Sequence, residues 1–304
     1  MEDLQRPARG STAEREGHIK SVTAYCPGHL SGYFLPVIGP DPSASGSTGA
    51  GIVTREGVSA RVSFSDEPSI CARRFSASGN IIEELSDAPP LSWLAGKFPC
   101  SVRIQTSCTL PIGAGFGLSA AALMASACAI NTLCDTGLST RELTALAHEA
   151  EILHHTGLGD VAACQGGGRD YRTGAGPGAE IIRYFDVAGL VYAVNFGPMF
   201  SPGILGSPDA LERISAAYPG KRPDTPEAFF RLSRLFAEAS GLMTPPVREA
   251  LAECDREGVP ASMTMLGNGV FALGKEALEI LSAHGEVFEL HMADSGARIT
   301  GVQR

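Results

Sequence analysis

The apolar positions lay out a mixed series of strands and helices. Ordered sequence is expected from Ile19, with a short strand through Val22, Ala24 and Cys26. Pro27-Gly28-His29-Leu30-Ser31-Gly32 breaks it before an apolar continuation from Tyr33 to Ile38. Gly39 to Gly51, rich in Gly, Ser and Pro, reads as a loop, and Ile52 to Phe64 as a hairpin turning at Arg55-Glu56-Gly57. Ile81 to Leu94 reads as helical. Ser101 to Leu110 places Val102, Ile104, Thr106 and Cys108 at every second position, the period of a half-buried strand. Two helices follow, one from Ser119 to Leu133. The other starts at Ser139, with Glu142 completing a capping box and Gly157 as its stop. After a second glycine-rich stretch, Gly157 to Gly178, strands are expected at Ile181 to Val187 and Leu190 to Phe196. Helices are expected around Pro226 to Ala239, Pro246 to Gly258 and Lys275 to Ala283, with a glycine-bearing strand or turn from Ser262 to Leu273. Strands and helices interleave without strict βαβ alternation, which predicts an α+β fold rather than a doubly wound sheet.

Composition narrows the class. A length of 304 residues allows two domains, and 44% hydrophobic with 19% charged residues is ordinary for a water-soluble protein. The net charge of -9 disfavours general binding to nucleic acid or anionic membrane, while leaving room for an anionic substrate held by a few local donors. The eight cysteines lack CxxC spacing, which argues against zinc and predicts free, mostly buried thiols in a reducing cytoplasm. No apolar run is long enough for a membrane span, and residues 1–18 are expected to form a mobile tail.

The candidate chemistry centres on Pro111-Ile112-Gly113-Ala114-Gly115-Phe116-Gly117-Leu118-Ser119, a glycine-rich loop emptying into a helix. Such a loop presents free N–H groups and the positive end of a helix dipole, which suits phosphate. It lacks the Lys-Ser/Thr pair of a Walker loop, and its GxGxG spacing is not that of a dinucleotide fingerprint. Asp160, in Thr156-Gly157-Leu158-Gly159-Asp160-Val161, is a candidate base for a hydroxyl proton or a simple helix cap. Glu151 is a candidate Mg²⁺ ligand or a solvated helix residue, with Glu149 as competitor. His148, His154 and His155 read as a plain helical surface rather than metal ligands. His29 sits in a turn. Of Arg169 and Arg172, one is expected to be a surface charge, and Arg172 has the better loop setting for gripping a carboxylate or phosphate.

These segments together resemble the GHMP kinases, in particular the pantoate kinase branch of archaea. Pro111 to Ala122 is similar to the family's central phosphate motif, Tyr25 to Gly32 to its first motif and Gly46 to Gly51 to the loop after it. Ala147 to Glu151 with Thr156 to Ala163 resembles the branch's acidic segment, and Ser262 to Phe271 its third motif. Leu118 stands where other GHMP kinases have the first of two serines, and the third motif keeps only Gly267 and Gly269.

The resemblance implies a two-domain α+β fold with the active site in the cleft. Residues 19–178 would form the ATP-binding domain and 179–304 the C-terminal domain. It implies ATP and Mg²⁺, with Pro111, Gly113, Ala114, Gly115, Phe116, Gly117, Leu118 and Ser119 around the phosphates and Ser119 and Glu151 serving the metal. Asp160 would be the base, Arg172 would clamp the substrate carboxylate, and His29 would line the same pocket. The implied reaction is phosphorylation of pantoate to 4-phosphopantoate on the archaeal route to coenzyme A, by a cytoplasmic homodimer. Homoserine or mevalonate as acceptor, a catalytically silent ligand-binding protein, and a dinucleotide-dependent oxidoreductase remain alternatives.

Overall fold

The computed structural model describes residues 19–304, so the expected N-terminal tail lies outside the described residues. Two long antiparallel strands, β1 (Ser21–Val37) and β2 (Gly46–Phe64), form the spine of an eight-stranded sheet. β5 (Val102–Cys108), β3 (Ser69–Phe75) and β4 (Ile81–Leu85) continue it on one side, with β3 and β5 parallel. On the other side β12 (Arg298–Gln303) pairs with β1. β6 (Arg169–Arg172) adds to the Gly49–Ile52 stretch of β2, and β7 (Ile181–Tyr184) to β6. A four-stranded antiparallel sheet has the order β11 (Val287–Leu290), β8 (Val191–Asn195), β10 (Gly269–Leu273), β9 (Ala261–Met263). Helices with one mixed and one antiparallel sheet give the α+β class expected. The first sheet draws β7 and β12 from beyond residue 178, so it runs across the sequence boundary expected at 178/179.

Three local expectations are corrected. The Pro27 to Gly32 segment does not end β1, and Arg55-Glu56-Gly57 is no hairpin turn. The two strands run on together, with register shifts between Cys26 and Gly28 and between Ser31 and Tyr33. A bulge absorbs an extra residue and tolerates proline, which has no N–H for the ladder. Gly46 to Gly51 is strand rather than loop, paired along its length with the Ser31–Val37 end of β1. Ile81 to Leu94 is not one helix. Its first part pairs with β3, and α1 (Pro89–Ala95) begins only where Pro89 and Pro90 preset the first turn.

α2 (Leu118–Cys134) is rich in alanine and buried on most of its circumference. Small side chains let it lie close on β1 and β2 while also packing α3 (Thr140–His154). The capping box that starts α3 is present, with Ser139 N–H donating to Glu142 Oε2 at 2.8 Å and Glu142 N–H to Ser139 Oγ at 3.3 Å. α3 ends at His155 in the left-handed conformation rather than at Gly157. α4 (Asp160–Ala163) is a single turn after it. Around the second sheet, α6 (Pro208–Ala217), α7 (Pro226–Ser240), α8 (Pro245–Arg256) and α9 (Glu276–Ser282) follow α5 (Ser201–Leu205), and α7 packs against both β9 and β1.

The free-thiol expectation also needs correction. Cys100, just before β5, and Cys134, the last residue of α2, form a disulfide. No spacing signal marks this pair, whose partners are 34 residues apart and meet only once the strand-loop-helix unit folds back on itself. The other six cysteines are free, Cys26, Cys164 and Cys254 being buried.

Candidate active site

The glycine loop joins β5 to α2. Gly113, Gly115 and Gly117 all have positive φ, at 74°, 82° and 64°, a region open to glycine and costly for residues with a Cβ. Gly117 is the N-cap of α2 and offers no side chain to cap it, so the first-turn N–H groups of the helix have no intrahelical partner. The loop is docked from two sides. Phe116 C=O accepts from His29 N–H at 3.0 Å, and Gly113 C=O from Met199 N–H at 3.3 Å. A Cβ on Gly267 would come within 2.1 Å of Ala114 O, so the third-motif turn lies directly against the loop backbone.

Loop and acidic turn border one cleft of about 320 Å³, whose lining includes Gly113, Gly115, Gly117, Ser119, Glu151 and Asp160. Ser31 and Thr156 also reach it, and Met199 and Met265 close it from the side of the second sheet. Phe116 and Leu118 line it too. Pro111 and Ala114 are buried behind it. Glu149 takes no part in the lining, whereas Glu151 does.

Glu151 is not a solvated helix residue. It lies on the inward face of α3 with Leu143, Ala147 and Ala150, and is 1% exposed. Its Oε2 accepts from Val161 N–H at 3.3 Å, while Oε1 has no partner. Burial, reinforced by the charge of Asp160, holds its carboxyl well above the usual carboxylate range. Asp160 behaves oppositely. Burial alone would raise it, but the hydrogen bond and charge of His29, the charge of Arg172 and a hydrogen bond from Ser31 outweigh that and hold it below its ordinary value. Two neighbouring carboxyls are thus driven apart, one toward the neutral acid and one toward the anion.

The source of the difference is a chain of buried charges behind Asp160. His29 Nδ1 donates to Asp160 Oδ1 at 2.5 Å, and Nε2 to Asp170 Oδ1 at 2.7 Å. A ring that meets a carboxylate at each nitrogen is an imidazolium, since only the charged form donates twice. Although burial works against the charge, Asp170 and the bonds to both carboxylates raise His29 to about 9. Asp170 Oδ2 accepts from Arg172 Nη1. Ser31 Oγ donates to Asp160 Oδ1 at 3.2 Å, fixing the carboxylate from a second direction.

His29 and Arg172 are placed differently from the expectation. Both are fully buried and neither lines the cleft; they stand behind Asp160. Arg172 keeps one buried donor, Nε, without a partner. It sits against Gly159, where a Cβ would lie 2.8 Å from Nε and 2.5 Å from Ser47 Oγ. Arg169 is not a surface charge. It is completely buried, bonded to Asp186 and to Pro223 C=O at 2.8 Å, and stacked on Tyr184. His148 is also buried rather than on a helical surface, bonding Ser45 C=O at 3.0 Å, and burial lowers its pKa. Among the described residues no group of three or more His, Cys, Asp or Glu side chains is arranged to hold a metal.

Sequence reasoning missed Asp170 altogether. The only available signal was its place between two arginines in Arg169-Asp170-Tyr171-Arg172, because buried arginines need a buried acid.

The model of the GHMP kinases N terminal domain matches residues 80–168. The pantoate kinase of Methanospirillum hungatei is 44% identical over 281 residues, covering 92% of this chain and 97% of that one. A solved structure described as a phosphotransferase related to the CoA biosynthesis pathway superposes with a TM-score of 0.76 at 27% identity, covering 92% of this chain and 98% of its own. Homoserine kinase from Cytophaga hutchinsonii shares the fold, with a TM-score of 0.61 at 15% identity over 97% of this chain and 100% of its own. The chain belongs to the GHMP kinase superfamily and, within it, to the pantoate kinase family.

Proposed function

We propose that the protein transfers the γ-phosphoryl group of ATP to the primary hydroxyl of pantoate, giving 4-phosphopantoate for coenzyme A synthesis. The observation that carries this reading is the convergence on one cleft of an ionised Asp160, a Glu151 whose carboxyl burial holds well above the usual range, and the uncapped start of α2. The similarity to the M. hungatei enzyme supplies the substrate. Apolar side chains such as Val58, Leu91 and Ile112 give the cleft a wall suited to a nucleobase, and the loop N–H groups suit the phosphates.

Phosphoryl transfer asks the protein mainly for placement and charge stabilisation, because little bond formation to the acceptor has occurred in a loose transition state. Asp160 is well matched to that task. Its carboxylate is 19% exposed at the cleft, ionised at neutral pH and fixed by His29 and Ser31, so it orients the acceptor hydroxyl and takes its proton as the oxygen becomes bonded to phosphorus. The N–H groups and dipole of α2 face the phosphoryl oxygens.

The orphaned Oε1 of Glu151 and the hydroxyl of Ser119 on the first turn of α2 fit a divalent cation shared with the nucleotide phosphates. Bound there, Mg²⁺ would neutralise charge on the phosphates and give Glu151 Oε1 the partner it lacks. Arg172 stands behind the cleft, and its unpartnered Nε would take a substrate carboxylate that reached it past Gly159 and Ser47, since a buried donor left unpaired is costly. A homodimer and a cytoplasmic location belong to the same reading; among the described residues no helix is long and apolar enough to cross a membrane.

A substrate panel tests the proposal. Purified protein with ATP and Mg²⁺ should release ADP with pantoate and not with homoserine or mevalonate. Turnover of either of the latter without turnover of pantoate refutes the substrate, and nucleotide binding with no acceptor refutes the kinase.

A further inference from the structure

Asp170 touches neither the cleft nor, in the proposed function, any substrate, yet it is the hub of the buried charges behind the base. One oxygen accepts from His29 Nε2 at 2.7 Å and the other from Arg172. It is completely buried in β6, where pairing with Gly51 of β2 fixes its register. We propose that Asp170 is a positioning residue for phosphoryl transfer, acting through His29 to hold Asp160 oriented and ionised.

The geometry calls for a charged ring at His29. A neutral histidine would donate to only one of its two carboxylates and bring a lone pair against the other. With Asp170 present, the ring carries a proton at each nitrogen and donates at both ends. Remove the Asp170 charge and His29 is a buried cation with one acid, Asp160, and Asp160 then bears the whole cost of compensating it. With all four members ionised, the Asp160–His29–Asp170–Arg172 chain is neutral as a whole.

The groups facing this chain come from every neighbouring element. Ser31 of β1 lies 3.5 Å from His29 Nδ1, and Asp160 opens α4. Cys164, just after α4, bonds Pro27 C=O beneath the histidine, and Cys26 of β1 bonds Cys164 C=O. Arg172 is on β6, and Arg183 of β7 adds positive charge near Asp170. Glu151 of α3 faces Asp160 from the cleft side. None of these supplies a second anion to the Nε2 side of His29, so Asp170 has no substitute there.

The test rests on the proposed reaction only for its kinetic arm. Asp170→Asn keeps the size and removes the charge, and kcat with pantoate should fall at least about 100-fold. KM for ATP should stay within about threefold. The alkaline limb of kcat should move toward neutral pH by about one unit or more, because His29 loses the anion that most favours its protonated form. Asp170→Glu should restore part of kcat and of the alkaline limb. If Asp170 serves only to hold Arg172 for a substrate carboxylate, KM for pantoate rises with the limb unmoved, and the proposal fails.

A second arm needs no turnover. ¹⁵N-histidine NMR of the wild-type protein at pH 8, with His29 assigned by loss of its signals in His29→Asn, should show both ring nitrogens protonated. A neutral His29 at that pH overturns the relay. Protonated His29 with no pantoate turnover instead leaves the relay standing and refutes the substrate assignment.

Discussion

Glu151 and Asp160, nine positions apart in sequence, approach each other around the bare backbone of Gly157. A Cβ there would lie 2.3 Å from Glu151 Oε1 and 3.1 Å from Asp160 Oδ2. The end of α3 and the start of α4 are therefore held at a spacing that only a residue without a side chain permits. Gly157→Ala should leave ATP binding within about threefold of wild type and reduce kcat by about 100-fold, since displacement of reacting groups by an ångström costs about that much. Steady-state kinetics on the alanine variant checks this.

Glu151 gives the free protein a distinctive dependence on pH. Its folded-state pKa is raised above the ordinary glutamate value, so its contribution to stability is complete below the unfolded pKa, near 4.5. That contribution drains as pH climbs from there toward the folded value, by at most about 1.4 kcal/mol per pH unit. Melting of the metal-free protein should decline in temperature from pH 5 upward, and Glu151→Gln should flatten the slope. Mg²⁺ with ATP should restore stability at pH 8 in the wild type far more than in the variant, as thermal melts with and without the pair would reveal.

The Cys100–Cys134 bond anchors the far end of α2, about 24 Å along the helix from Leu118. Closing this loop restricts the unfolded chain by about 3–4 kcal/mol in the entropic account. Cys134→Ser should lower the melting temperature by roughly 5 °C or more while leaving KM for ATP unchanged. Calorimetry of the two proteins under non-reducing conditions, with the wild type repeated in excess dithiothreitol, separates the bond from the substitution.

Much of the site could be read before the fold was known, for reasons that are local. Gly113, Gly115 and Gly117 mark left-handed backbone, Ser139 and Glu142 cap a helix three residues apart, and Ser119 is placed by the start of that alanine-rich run. These signals need no partner from elsewhere in the chain. What escaped was set by tertiary context. Gly28 and Gly51 look like loop residues but sit in long bulged strands, since their role is to admit neighbours rather than to turn the chain. Glu151 and His148 fall on a helix that reads as amphipathic, yet both face inward. Arg169 and Arg172 read as one surface charge and one ligand, whereas their acids, Asp186 and Asp170, reach them only once β6 has paired with β2 and the chain has returned through β7. Nothing in the spacing of the eight cysteines singles out Cys100 and Cys134.

Whether Asp160 serves as the base of a pantoate kinase is decided by comparing two proteins. Pantoate-dependent ADP release is measured for the wild type and for Asp160→Asn, together with ATP affinity of both by calorimetry. Asp160→Asn should bind ATP within about twofold of wild type and lose about 1000-fold or more in turnover, as removal of a positioned base does. Turnover in the variant within tenfold of the wild type would rule Asp160 out as the base.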